Sequence, residues 1–98
     1  IADMTAIPDM QATGYPVIFD STHSVQRPGG EGSFSGGNRQ HIGVLTRSAV
    51  AAGADGLFLE VHPEPEQAKS DAASQIKLED LKPLLESALR IFEAVRAV

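Results

Sequence analysis

No cysteine occurs among the 98 residues. That removes disulfides and an all-cysteine zinc site, and leaves histidine and carboxylate side chains as the strong metal ligands available within this stretch. Long apolar runs are missing too. Without about 18 consecutive apolar residues there is no membrane-spanning helix to propose, and no ordered basic, apolar and small-residue segment marks a signal peptide. The expected setting is therefore cytoplasmic, with no membrane partner. Basic residues are few, 8 Lys and Arg against 13 Asp and Glu, and the net charge of −5 argues against a nucleic-acid partner. A small anionic substrate stays compatible, because local basic groups or a metal override the global charge. Neither the Gly-Lys-Ser/Thr ending of a phosphate-binding P-loop nor a GxGxxG turn after a strand is present. An initiating methionine is also lacking, and the residues after Ile1 read as the end of an element. The expectation is that residues 1–98 are one piece of a longer single domain.

What is present is a repeated design. Residues 17–24, Val-Ile-Phe-Asp-Ser-Thr-His-Ser, open apolar and close on polar and ionisable groups. Residues 56–63, Gly-Leu-Phe-Leu-Glu-Val-His-Pro, do the same. If both are parallel strands of one sheet, His23, Glu60 and His62 emerge at its carboxyl edge, where open α/β sheets and (β/α)8 barrels build their sites. Strict alternation places Val17, Phe19, Ser21 and His23 on one face of the first strand, with Ile18, Asp20 and Thr22 on the other.

Around these strands the pattern is helical. Residues 7–13 offer one or two turns, with Pro8 in the first turn and Gly14 as the stop. Ile42, Leu45, Ala49 and Ala52 recur at helical spacing and predict a helix over 38–52, capped by Asn38 and ended by Gly53. Residues 56–61 form the second strand. Leu81, Leu84, Ala88, Ile91, Val95 and Val98 give a buried stripe for a last helix over 78–98, which Pro83 is expected either to start near Lys82 or to precede with a tight turn. The resulting order is strand tail, short helix, strand, helix, strand, helix, a run of β/α units. Residues 25–38 show no periodicity and carry five glycines. A connection that long is either a lid over a site or a flexible linker.

His23, Glu60 and Asp71 form the chemical constellation. All three fall at or beyond strand ends, and one histidine with two carboxylates suits a divalent metal with open positions. The structural alternative is a hydrogen-bonded network at the sheet edge. Arg39, directly after the glycine-rich segment, is placed to meet an anion at a helix start. His62, next to Pro63, reads more readily as a turn histidine that satisfies local backbone.

Five segments carry a resemblance in order and with matching spacing. They are Phe-Asp-Ser-Thr-His-Ser-Val-Gln (19–26) with the following Arg-Pro-Gly-Gly and Ser-Gly-Gly, Ala-Asp-Gly-Leu-Phe-Leu-Glu-Val-His-Pro-Glu-Pro (54–65), and Ala-Lys-Ser-Asp (68–71). They resemble the 3-deoxy-D-manno-octulosonate 8-phosphate synthase family. The resemblance implies the C-terminal portion of a (β/α)8 TIM barrel, about the last two and a half β/α units. It implies a transferase that condenses phosphoenolpyruvate with D-arabinose 5-phosphate and water, a step of lipopolysaccharide biosynthesis, in a homo-oligomer, a tetramer by resemblance. It also implies that His23, Glu60 and Asp71 are catalytic and metal ligands, and that His23, Gln26 and Arg39 bind substrate. The cofactor is then a divalent metal such as Zn, Fe or Mn. The segment Ser-Asp-Ala-Ala-Ser-Gln (70–75) is similar to the metal-dependent branch, whose fourth ligand is a cysteine outside this chain.

A related barrel family, 3-deoxy-D-arabino-heptulosonate 7-phosphate synthase, carries a similar Glu-Val-His-Pro-Glu-Pro segment and is the alternative enzyme. An alternative of another class is a non-catalytic barrel fragment. Three or so β/α units leave sheet edges unpaired, and inward side chains such as Phe19 and Phe58 would be exposed.

Overall fold

The computed structural model of the chain describes residues 3–23, 39–65 and 75–97. A short helix, α1 (Ala6–Gln11), comes first. Asp3 prepares its start: Oδ1 accepts the Thr5 N–H at 3.0 Å and the Thr5 hydroxyl at 2.7 Å. Pro8 falls in the first turn, where no intrahelical hydrogen bond is lost. Gly14, at φ 92°, turns the chain toward β1 (Ile18–Asp20).

A 3-10 turn (Arg39–His41) leads into α2 (Ile42–Ala51). The end of α2 is set by the backbone. Ala54 N–H donates to the Ala49 carbonyl and Gly53 N–H to the Val50 carbonyl, both at 3.0 Å, with Gly53 at φ 106°. This is a glycine-terminated Schellman end, which a side chain at Gly53 would strain. It delivers the chain directly into β2 (Gly56–Phe58). Strands β1 and β2 are parallel, with Ile18 opposite Gly56 and Asp20 opposite Phe58. A second parallel pair joins β3 (Val61–His62) to β4 (Ile76–Lys77), and α3 (Leu78–Arg96) follows at once.

The two faces of the first strand pair differ. Val17 and Phe19 pack toward the helices, in a cluster with Ile7, Ala49 and Ala54. A second cluster of Ile42, Ile76 and Leu84, backed by Leu45, Leu59 and Val61, joins α2, α3 and the β3–β4 pair. On the other face of β1 and β2 lie Ile18, Asp20, Gly56 and Phe58. Ile18 is 58% exposed and Phe58 51%. A Cβ on Gly56 would sit 2.8 Å from Ile18 Cδ1, so the absence of a side chain there lets Ile18 lie across the strand. The bare pair is thus Ile18 and Phe58. Phe19, expected to be exposed with Phe58, belongs instead to the helix-facing core.

Three further expectations are corrected. The second apolar run does not continue to Val61 as one strand. The backbone changes partner at Glu60, whose carbonyl accepts the Ile76 N–H at 3.0 Å, so Val61 and His62 pair with β4. Strand β4 itself is only two residues long and leaves no periodic signal. Helix α3 begins at Leu78 and carries Pro83 inside it. Pro83 cannot donate to the Glu79 carbonyl, but both residues lie on the exposed side, where water substitutes. Regular α2 occupies 42–51, shorter than the expected 38–52, and Asn38 lies outside the described residues, as does the whole 25–38 connection. Within α3, Leu84 and Ala88 are buried, whereas Leu78, Leu85 and Leu89 are exposed.

At the amino ends of β1 and β2, Asp55 ties four elements together. Its Oδ2 accepts the Val17 N–H at 2.8 Å and Gln11 Nε2 at 3.1 Å, and its Oδ1 accepts Arg96 Nη2 at 2.9 Å. Gln11 also donates to the Gly53 carbonyl at 2.6 Å, and the Arg96 guanidinium lies 4.5 Å from the Phe92 ring centre. The bond from Val17, then those from Arg96 and Gln11, hold the Asp55 carboxyl at a pKa of about 2. Among the described residues no helix is long and apolar enough to cross a membrane.

Candidate functional site

At the opposite, carboxyl edge the first strand does not simply run on. Ser21 N–H makes the last ladder bond, to the Phe58 carbonyl at 3.0 Å, and then Asp20 folds the chain back. Asp20 Oδ1 accepts the backbone N–H of Thr22 at 3.1 Å and of His23 at 2.9 Å. Aspartate is suited to this role because its short carboxylate reaches the backbone two and three residues ahead. The turn brings His23 over Asp20, so the expectation that these two side chains occupy opposite faces is corrected: alternation ends with the strand.

His23 is held at both ring nitrogens. Asp20 Oδ2 lies 2.7 Å from Nδ1 and Glu60 Oε1 lies 2.8 Å from Nε2. The Phe58 ring stacks alongside at 6.3 Å between centres and 25° between planes. Partial burial pushes the Asp20 carboxyl up, but hydrogen bonds from the His23 backbone and ring, the pull of the His23 charge and the Thr22 hydroxyl outweigh it, so its pKa lies below the usual aspartate value. Glu60 is supported on two sides. Its N–H donates to Thr22 Oγ1 at 3.2 Å, and its Oε2 accepts Gln75 Nε2 at 3.3 Å.

This arrangement has a direct chemical meaning. A neutral imidazole has one N–H, so when Nδ1–H donates to Asp20 the lone pair of Nε2 faces the Glu60 carboxylate. Two electron-rich groups at that separation need a proton or a cation between them. A histidine whose far nitrogen is fixed by a carboxylate is also the usual form of a metal-ligating histidine. His23 and Glu60 therefore fit two positions of a divalent cation. Among the described residues, no group of three or more His, Cys, Asp or Glu side chains is arranged to hold one.

Of the residues singled out in the sequence, His23 and Glu60 are brought together. Asp71 and Gln26 lie outside the described residues. Arg39 opens the 3-10 turn ahead of α2. His62 is not joined to the pair: its Nδ1 accepts the Glu64 N–H at 2.9 Å, so its ring serves the turn at Pro63. Sequence reasoning missed Asp20, Thr22 and Gln75 as members of the site. Asp20 had a signal, an aspartate at the end of an apolar run followed by Ser-Thr, which is turn chemistry. Gln75 had none, because its approach to Glu60 depends on the β3–β4 pairing.

The family model described as the DAHP synthetase I family matches residues 1–96. The 2-dehydro-3-deoxyphosphooctonate aldolase of Citrifermentans bemidjiense is 54% identical over 95 residues, 97% of this chain and 34% of the relative. The protein of the same name from Protochlamydia amoebophila is 54% identical over 96 residues, 98% of this chain and 35% of that protein. The chain thus spans about a third of the length of the curated relatives it matches. Among solved structures, the phospho-2-dehydro-3-deoxyheptonate aldolase (DAHP synthase) of Thermotoga maritima superposes with a TM-score of 0.77 at 33% identity, covering 95% of this chain and 24% of that one. A truncated 3-deoxy-D-arabino-heptulosonate 7-phosphate synthase from the same organism gives 0.74, also at 33% identity, covering 95% of this chain and 32% of that one. A match that runs almost from one end of the chain to the other leaves one conclusion: the chain belongs to the DAHP synthetase I family.

Proposed function

We propose that this chain supplies the carboxyl-terminal part of a (β/α)8 barrel that condenses phosphoenolpyruvate with D-arabinose 5-phosphate and water to 3-deoxy-D-manno-octulosonate 8-phosphate and phosphate. The observation that carries the reading is the 2.8 Å approach of His23 Nε2 and Glu60 Oε1 at the carboxyl edge of the strands. Barrel enzymes build their chemistry at that edge. The bare Ile18 and Phe58 face supports the barrel, since it is the face a closed ring of strands would cover. High identity to relatives named 2-dehydro-3-deoxyphosphooctonate aldolase supports the substrates.

In this reading the third carbon of phosphoenolpyruvate attacks the sugar aldehyde, water adds at the second carbon, and phosphate leaves. With no metal between them, Glu60 and His23 hold a proton at the Nε2 to Oε1 contact, where it can be exchanged with the oxygen of a bound reactant. Asp20 keeps Nδ1 occupied, so exchange is confined to Nε2. Asp71 is proposed as the second carboxylate, and Gln26 and Arg39 as contacts to the sugar phosphate. A divalent metal held by His23, Glu60 and Asp71 would supply Lewis-acid polarisation of an oxygen. By family resemblance, the working protein is proposed to be a cytoplasmic homo-oligomer, a tetramer.

The solved heptulosonate synthases favour a second reading, in which erythrose 4-phosphate replaces the pentose phosphate. Assaying phosphate release by the complete polypeptide with each sugar decides between them. The first reading expects turnover with arabinose 5-phosphate at least tenfold above that with erythrose 4-phosphate. The reverse preference would overturn it.

A further inference from the structure

We propose that Thr22 is a positioning residue that couples the two arms of the site through its hydroxyl. The inference rests on the reading above, that His23 and Glu60 act together. Thr22 is fully buried, 0% exposed. Its Oγ1 donates to Asp20 Oδ1 at 3.2 Å and accepts the Glu60 N–H at 3.2 Å. One oxygen therefore touches both the carboxylate that orients His23 and the backbone that carries Glu60.

The strand register explains why a side chain is needed. Gly56 N–H bonds to the Val17 carbonyl and Ser21 N–H to the Phe58 carbonyl. Continued by four residues on each strand, the same ladder would give the Glu60 N–H to the Ser21 carbonyl. The chain has already turned at Asp20, and the threonine hydroxyl takes the place of that carbonyl. The substitution lets β1 end in a turn that presents His23 while keeping Glu60 fixed opposite it. Serine could supply the oxygen, whereas valine keeps the shape and loses both bonds, leaving the part-buried Glu60 N–H without its acceptor.

The test uses the complete polypeptide, stripped of metal and titrated with Mn2+, together with steady-state kinetics. Thr22→Val is expected to weaken Mn2+ binding and to lower kcat by about 10- to 100-fold, the range typical of groups that orient metal ligands. The KM for phosphoenolpyruvate should change little. Thr22→Ser is expected to stay within about threefold of the parent in both. Should Thr22→Val fail to fold, Thr22→Ser against Thr22→Ala is the same comparison, since both lack the methyl and differ only in the oxygen. Equal Mn2+ affinity and kcat with and without the hydroxyl would overturn the proposal, as would an equal loss in the serine variant. If the parent takes up no Mn2+ and turns over unchanged in chelator, the metal assignment is what fails. The kcat comparison with and without the hydroxyl then still decides the role of Thr22.

Discussion

A histidine gripped at both nitrogens contributes position rather than stability. The His23 side chain is 37% exposed and that of Glu60 28%. Half-solvated pairs of this kind are worth only about 0–1 kcal/mol. Replacing His23 or Glu60 by alanine should therefore leave the thermal midpoint of the complete polypeptide nearly unchanged while abolishing tight divalent-metal binding and turnover. Asp20→Asn is the subtler variant. An amide can still stand beside Nδ1, but it can present an N–H there as readily as an oxygen, so the orientation of the ring loses its definition. A fall of about 10- to 100-fold in metal affinity is expected, with folding retained. Bound metal measured by elemental analysis, alongside circular dichroism melting, separates the two effects. Wild-type metal content in either alanine variant would remove that residue from the ligand set.

At the scale of elements, the foot of the sheet is where pH should act on stability. The Asp55 carboxyl is held at about 2, below its value in an unfolded chain, because folding gives it the Val17 N–H, Arg96 and Gln11. A depressed carboxylate stabilises the fold above its unfolded pKa, near 3.9, and that contribution is lost as the pH falls through about 2. Asp55→Asn should therefore be most destabilised relative to the parent above about pH 4, and the two melting curves should converge as the pH is lowered toward 2. A difference independent of pH would show that packing, not charge, is what Asn disturbs. The same element scale shows what could be read from the chain. The glycine ends at Gly14 and Gly53, the helix stripes, and the emergence of His23 and Glu60 at one edge all follow from local rules. The partner change at Glu60 was hidden, because an apolar run looks the same whether it pairs with one strand or two. Asp20 was hidden because period-two alternation was extended past the residue that ends it.

For the whole molecule, the decisive feature is what the described residues leave uncovered. One face shows Ile18 and Phe58, and along α3 Leu78, Leu85 and Leu89 are exposed. Near α3, Leu85, Leu89 and Phe92 also line an open groove of about 460 Å³ with Val50, Ala54 and Leu57. Surfaces of this kind on an isolated chain promote association. The 98-residue chain alone is expected to elute from size exclusion as oligomers or aggregates, to melt without a sharp transition, and to lack condensation activity. A monodisperse monomer with a cooperative transition would contradict this.

The latch at Asp55 joins residues made at different times. Val17 and Gln11 precede it in the chain, while Arg96 follows 41 residues later. At a synthesis rate of roughly 5–20 residues per second, Asp55 waits on the order of 2–8 s for its arginine. During that interval it can already accept the Val17 N–H and Gln11, so α1, β1 and the start of β2 can be gathered before α3 exists. The arginine then arrives at an acceptor already in place, and the last helix is captured rather than required to organise what came before it.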